Sequence, residues 1–289
     1  MRFAKGHGTE NDFVILVDPA GEQGLSPGLA ARLCDRRAGI GGDGVLRAVR
    51  ATALAGGTGN GSAPGPGAAA PEWFMDYRNS DGSPAEMCGN GIRVFARYLA
   101  DHGLASGPGF TVATRCGPRR VRLDGDGDVT AEMGGVTVLG PGRAVVGGVA
   151  CDGLRVSVGN PHLACLVDPP LAGFDLTGPP RLDPAQFPQG GNVELVRVTG
   201  PGQVEMRVHE RGSGETRSCG TGAVAGAAAA AAAAGQDHGR WRVSVPGGQL
   251  TVTLEPGAAW LTGPAVIVAE GELSDTWLAA ATAGSHRST

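Results

Sequence analysis

Met87-Cys88-Gly89-Asn90-Gly91 and Ser218-Cys219-Gly220-Thr221-Gly222 are two copies of one pattern, a cysteine set directly before a Gly-x-Gly turn, and their cysteines stand 131 residues apart in a chain of 289. Each copy runs straight into a segment of helical character. Gly91 to Ala100 carries apolar residues at helical spacing, and Thr221 to Ala234 is mostly alanine, the strongest intrinsic helix former. Upstream, Gly82-Ser83 ahead of the first copy echoes Gly212-Ser213 ahead of the second. Further back, Asn11-Asp12-Phe13-Val14 matches Asn160-Pro161-His162-Leu163 at an offset of 149, and Gly44-Val45-Leu46 roughly matches Asn192-Val193-Glu194-Leu195 at 148. Between these anchors and the cysteines the offset drops to 131. Ala51 to Pro71, rich in Gly, Ala, Pro and Ser and lacking any apolar period, lies in the interval in the first half only, and as a flexible loop insertion it accounts for the drop. The chain therefore reads as two homologous halves, one with an extra loop.

Short alternating or β-branched runs separated by Gly and Pro fill much of the remainder: Phe13 to Val17, Gly109 to Thr114, Val156 to Val158, Val193 to Val198, Trp241 to Val245 and Ala265 to Val268. Strand and turn with two helices is the expectation, and the tail from Ser285 to Thr289 is expected to be disordered. A formal charge of -4 and no Lys/Arg-rich run leave no basic surplus for phosphates, so neither nucleic acid nor an anionic membrane is an expected partner. The apolar run near the N-terminus is too short for a signal peptide, and the alanine stretch Ala227 to Ala234 is too short to span a bilayer, which points to the cytoplasm. Six cysteines without a CxxC pair or a zinc-ligand spacing read as free thiols, so no metal is expected. Of 24 basic residues only Lys5 is a lysine, so an enzyme holding pyridoxal phosphate as a Schiff base could use no other residue.

A cysteine at the start of a helix lies near unpaired backbone N–H groups and the positive end of the helix dipole, which lowers its titration below the free value of about 8.5. One such motif is more often a plain turn beside a small core residue; two at equivalent places of a duplicated chain reverse that weighting. Halves related by a pseudo-twofold axis would bring both cysteines and both helix starts to one interdomain cleft. Opposed thiols suit inversion at a carbon that bears a proton: one thiolate removes it while the other thiol protonates the opposite face. Two helix N-termini aimed at the adjacent carboxylate would stabilise the carbanion without a cofactor.

At these residues the sequence resembles the diaminopimelate epimerase family. The resemblance runs through Gly6-His7-Gly8-Thr9-Glu10-Asn11-Asp12-Phe13, then Arg78-Asn79-Ser80-Asp81-Gly82-Ser83 and Cys88-Gly89-Asn90-Gly91. It continues in Gly159-Asn160-Pro161-His162, Gly191-Asn192, Glu210-Arg211-Gly212-Ser213-Gly214-Glu215-Thr216 and Cys219-Gly220-Thr221-Gly222. It implies a cofactor-independent isomerase acting on an amino-acid substrate, with Cys88 and Cys219 as acid and base. His162 and Glu210 are implied to assist the thiols. Asn11, Asn79, Asn160, Asn192, Glu210 and Arg211 are implied to hold the distal end of the substrate, and Gly89, Asn90, Gly220 and Thr221 its reacting carboxylate. The side-chain chemistry agrees, since an arginine fork suits a carboxylate, a glutamate suits an ammonium, and asparagine serves both. The implied fold is α+β: two pseudo-symmetric α/β halves, each a curved, mainly antiparallel sheet around a central helix, with a final strand near Ala265 to Val268 returning to the first half. The halves are then residues 1–133 with 263–289, and 134–262, and a homodimer is compatible with them.

Taken singly, Asn11, Asn160, His162 and Arg211 also fit ordinary turn, core or surface roles. Cys34, Cys116, Cys151 and Cys165 read as structural, because no Gly-x-Gly helix start follows them. Some family members carry glutamine in place of Gly44 and glycine in place of Glu10. Competing readings are a proline-type racemase relative, an isomerase using one cysteine, a thiol redox protein and a binding module.

Overall fold

The computed structural model describes residues 1–54, 70–125 and 127–283; most of the expected loop insertion and the expected disordered tail lie outside the described residues. Four α-helices occur among them: α1 (Pro27–Cys34), α2 (Gly89–Asp101), α3 (Gly220–Ala233) and α4 (Asp275–Ala283). The chain divides into two compact units, Met1–Val129 with Pro264–Thr289, and Thr130–Gly263.

In the first unit, strand Val266–Glu272 pairs antiparallel with Arg2–Gly8, which pairs antiparallel with Asn11–Val17. Asn11–Val17 is parallel to Gly44–Arg50, which is antiparallel to Trp73–Asn79. Trp73–Asn79 is parallel to Gly109–Thr114, which is antiparallel to Gly117–Leu123. Parallel neighbours need a crossover, and α1 and α2 lie within the two crossovers here. α2 packs on strands from across this sheet, including Arg2–Gly8, Asn11–Val17, Gly117–Leu123 and Val266–Glu272, so the sheet wraps around it.

The second unit repeats the pattern. Thr137–Val146 is antiparallel to Val149–Ser157, and that strand is antiparallel to Pro161–Leu166. Pro161–Leu166 is parallel to Asn192–Gly200, itself antiparallel to Gln203–Glu210. Gln203–Glu210 is parallel to Gly239–Val245, and Gly248–Glu255 closes the series antiparallel to it. The order of antiparallel and parallel links is the same in both units. Register repeats as well: Phe13 faces Gly44 where His162 faces Asn192, and Val45 faces Arg78 where Val193 faces His209. The second hairpin turns in residues 201–202, whereas residues 51–72 join the corresponding strands of the first, which places the extra loop at one hairpin.

α3 is buried from Gly220 to Ala231, so it has no solvent face. Alanine supplies helix propensity with the smallest side chain that still has a Cβ, which lets a sheet close around the helix on all sides. Two helices were not expected from the sequence. α1 is eight residues long, with Ser26 accepting from the Leu29 N–H and Pro27 in the first turn. α4 follows the last strand and sends Trp277 and Leu278 against the apolar cluster that contains Leu29 and Leu33.

The hairpin turn that leads into Asn11 is conformationally costly. Thr9 and Glu10 both sit in the left-handed region, at φ 51° and 62°. That region costs an L-residue with a Cβ roughly 1–2 kcal/mol, part of which glycine gives back through its freer unfolded chain. Glu10→Gly is expected to raise stability by about 0.5–1 kcal/mol in urea unfolding; a lower unfolding midpoint would show that contacts of the Glu10 side chain outweigh the strain.

Candidate active site

Cys88 and Cys219 occupy the same structural position. Each is the N-cap residue of its helix, with extended backbone (φ −136° and −123°), and each sulfur accepts a hydrogen bond from the N–H three residues on, Gly91 at 3.3 Å and Gly222 at 3.4 Å. The second glycine of each motif stands in tight space. A Cβ on Gly91 would stand 3.2 Å from Leu46 Cδ2, and one on Gly222 would stand 2.8 Å from Glu194 Oε1.

Around Cys88, which is half-buried, the sulfur lies 3.7 Å from Asn11 Oδ1. The same oxygen accepts from Asn90 Nδ2 at 3.2 Å, while Asn11 Nδ2 donates to Asp43 Oδ2 at 2.7 Å. Asp43 belongs to a charged cluster with Asp12, Arg36 and Lys5: Arg36 reaches both carboxylates, and the Lys5 ammonium is held by Asp12 at 2.6 Å. Asn11, Asn90 and Cys88 are thus brought together. Asn79 donates to Ser83 Oγ at 3.0 Å.

Around Cys219 the surroundings are different in charge. Cys219 Sγ is 3.5 Å from Thr221 Oγ1, Asn160 Nδ2 donates to that hydroxyl at 3.5 Å, and Asn160 Oδ1 meets His162 Nε2 at 2.9 Å. The other ring nitrogen of His162 is 2.7 Å from Glu194 Oε1, and both of these side chains have no exposed surface. Glu210 accepts from the Thr216 hydroxyl and has the Cys219 thiol within hydrogen-bonding reach. Burial pushes the Glu210 carboxyl up, partly offset by Thr216 and Cys219. Asn192 Oδ1 accepts from the Arg211 backbone N–H at 2.9 Å, and the exposed Arg211 side chain reaches the Gln189 carbonyl.

One expectation is overturned. Both thiols were expected to titrate below the free value, but the Cys219 thiol is pushed well above it, first by burial and then by the negative neighbours Glu210 and Glu194. The Thr221 hydroxyl and the Gly222 N–H pull it down and do not compensate. The helix start is present; burial of the sulfur, reinforced by two neighbouring carboxylates, outweighs it. Glu194 and Asp43 were not singled out in the sequence. Glu194 sits in an alternating strand run that hides its partner, and only the pairing of Pro161–Leu166 beside Asn192–Gly200 puts it next to His162.

Among the described residues, no group of His, Cys, Asp and Glu is arranged to hold a metal ion, and no helix is long and apolar enough to cross a membrane. Cys34, Cys151 and Cys165 are buried, and Cys34 and Cys165 titrate high because burial disfavours their thiolates.

Two consequences are measurable. The neutral thiol is the favoured form of Cys219 at neutral pH, so iodoacetamide at pH 8 is expected to alkylate it at least about tenfold more slowly than free cysteine, whose pKa is about 8.5. Peptide mass spectrometry reads that rate, and alkylation as fast as free cysteine would contradict the assigned surroundings. Leaving a buried polar group without its hydrogen-bond partner costs about 1–3 kcal/mol, so Glu194→Leu is expected to lower unfolding stability by about that much. A loss below about 1 kcal/mol would mean that His162 is satisfied without it.

Comparison with known proteins identifies the family. The family model for diaminopimelate epimerase matches residues 3–139 and 154–272. Diaminopimelate epimerase of Thermobifida fusca (strain YX) is 60% identical over 277 residues, covering 94% of this chain and 98% of that protein. The Mycolicibacterium smegmatis (strain ATCC 700084 / mc(2)155) enzyme of that name is 52% identical over 286 residues, covering 96% and 98%. Solved structures share the fold at low identity. A Bacillus anthracis phenazine biosynthesis protein of the PhzF family superposes with a TM-score of 0.65 at 14% identity, covering 95% of this chain and 99% of that one. A hydroxyproline epimerase from Agrobacterium vitis with bound trans-4-OH-L-proline gives 0.61 at 14%, covering 98% of each. By sequence over nearly its whole length, and by a fold shared with other epimerases, this chain belongs to the diaminopimelate epimerase family.

Proposed function

We propose that this chain, an epimerase by family, interconverts LL- and meso-diaminopimelate without a cofactor, with Cys88 and Cys219 as a thiol acid/base pair. The observation that carries the reading is the duplicated cysteine cap: in two units of equal topology, a thiol sits on the first turn of the central helix.

One thiolate takes the proton from the α-carbon, and the electron pair left behind delocalises into the adjacent carboxylate. The other thiol gives its proton to the opposite face. Product leaves with the two sulfurs in exchanged protonation states, which are those needed for the reverse reaction. Backbone N–H groups of Gly89, Asn90, Gly220 and Thr221 are suited to the growing negative charge on the carboxylate. The distal ammonium and carboxylate are assigned to Asn11, Asn79, Asn160, Asn192, Glu210 and Arg211, a set with both acceptors and donors. His162 and Glu210 are assigned to help the thiols exchange protons. Lys5, the chain's one lysine, is engaged by Asp12 and the Gly41 carbonyl, which supports a reading that needs no Schiff base. The same reading places the reaction among the steps that supply lysine and peptidoglycan precursors, in the cytoplasm.

In deuterium oxide with no added cofactor, diaminopimelate is expected to acquire deuterium at one α-carbon and to change its LL/meso ratio, as followed by NMR and chiral chromatography. Cys88→Ala and Cys219→Ala are each expected to lower turnover by at least about 10²-fold, within the usual range for a lost acid or base. Normal turnover by either variant, or turnover only after pyridoxal phosphate is added, sinks the reading.

A further inference from the structure

The two halves share a backbone and differ in buried charge at matched positions. Where the second half has His162, Glu194 and Glu210, the first has Phe13, Leu46 and Asn79 at the repeat offsets, and both glycine contacts agree, Leu46 against Gly91 and Glu194 against Gly222. The opposite difference lies on the helices. Val224 of α3 is matched on α2 by Arg93, one of the largest fully buried side chains of the protein.

Arg93 makes no ion pair with a carboxylate among the described residues. Its Nη1 donates to the Gly89 carbonyl at 3.1 Å and to Asn90 Oδ1 at 2.9 Å, Nη2 reaches the Pro264 carbonyl at 3.5 Å, and Nε is buried with no hydrogen-bond partner. A buried cation without a counter-ion is costly and calls for a compensating charge nearby. Burial pulls this guanidinium down to about 10, which leaves it cationic at neutral pH, and the groups that favour its charge are Cys88, when ionised, and Asp128.

We propose that Arg93 is the charge-setting and positioning residue of Cys88: it fixes Asn90, whose amide holds Asn11 against the sulfur, and its buried positive charge favours the Cys88 thiolate. The proposal rests on the two-base reading and adds which thiol is the base in the free enzyme. Other groups around Cys88 act in both directions. The Gly91 N–H also favours the thiolate, whereas Asn11 Oδ1 and, behind it, Asp43 favour the thiol; Asp43 is in turn paired with Arg36, and Asp12 with Arg36 and Lys5. Burial of its sulfur, with the buried carboxylates of the second half behind it, keeps the proton on Cys219. Free enzyme thus holds Cys88 as thiolate and Cys219 as thiol.

The test follows iodoacetamide alkylation of Cys88 against pH, in the full chain, by peptide mass spectrometry. In the unaltered protein the midpoint is expected below the free-cysteine value of about 8.5. Arg93→Met is expected to move it up by about one pH unit or more, the size of effect a neighbouring charge has, while Arg93→Lys, which keeps the charge, moves it less. Cys219 alkylation serves as the internal control and is expected not to shift. A folded Arg93→Met variant with the unaltered midpoint overturns the proposal. Should that variant not fold, a midpoint at or above the free value in the unaltered protein overturns it equally. Failure of the two-base reading is seen separately, as deuterium exchange that persists in Cys88→Ala.

Discussion

The start of a buried helix leaves backbone N–H groups with no partner inside the helix and no water to meet them. In both halves of this protein a cysteine sulfur takes one of those donors, at the third residue on. An N-cap contact contributes about 1 kcal/mol, and the helix end carries roughly half a positive charge, so the same geometry that completes the helix also gives the sulfur an electrostatic bias. It dictates the neighbourhood too. The cap must be extended, and the glycine beneath the sulfur leaves little room for a Cβ, because a side chain from the fourth strand of each paired series comes within 3.2 Å of where one would be. The sheets then close over helices buried on nearly every side, α3 by being alanine and α2 by enclosing even an arginine.

Duplication accounts for the shared backbone, and divergence at a few positions sets the charge. Register partners are preserved to the residue, as Phe13 with Gly44 and His162 with Asn192 show, so substitution at a matched position delivers a new group to the same place. Leucine against glycine in one half becomes glutamate against glycine in the other. A buried carboxylate there is tolerable because a histidine two positions along the neighbouring strand meets it at 2.7 Å. Within one topology, the Cys219 thiol is held protonated by burial and by neighbouring acids, while the corresponding helix of the other half buries a cation.

The duplicated motif made the two helices and the two-half plan legible in the sequence, since spacing, glycine placement and helix propensity all point the same way at Cys88 and Cys219. Strands such as Gly109–Thr114 were legible to the residue because alternation and flanking glycines agree. α1 escaped although Ser26-Pro27 is a helix-start signal, because eight residues show barely two turns of periodicity. Charge escaped for another reason. Glu194 in Asn192-Val193-Glu194-Leu195 looks like the outward residue of an alternating strand, and Arg93 looks like the polar face of an amphipathic helix. Only tertiary structure, by covering both faces of the strand and all faces of the helix, turns those residues inward.

Under the proposed two-base reading, unlike environments for the two thiols are no defect. Diaminopimelate presents one reacting centre and one fixed distal centre, so its two forms are diastereomers, and a site that recognises the distal end gains nothing by being symmetric about the reacting carbon. An enzyme changes no equilibrium. It can differ only in which free form is populated, and a substrate that needs the minor protonation state binds with an apparent affinity reduced by that state's fraction. A bias of one pH unit between the thiols amounts to a factor of about ten, or 1.4 kcal/mol, within what one buried charge supplies. In a duplicated scaffold the least disruptive way to set such a bias is to leave the capped helices and strand register alone and exchange side chains at matched positions, as Leu46 and Glu194, or Val224 and Arg93, differ here.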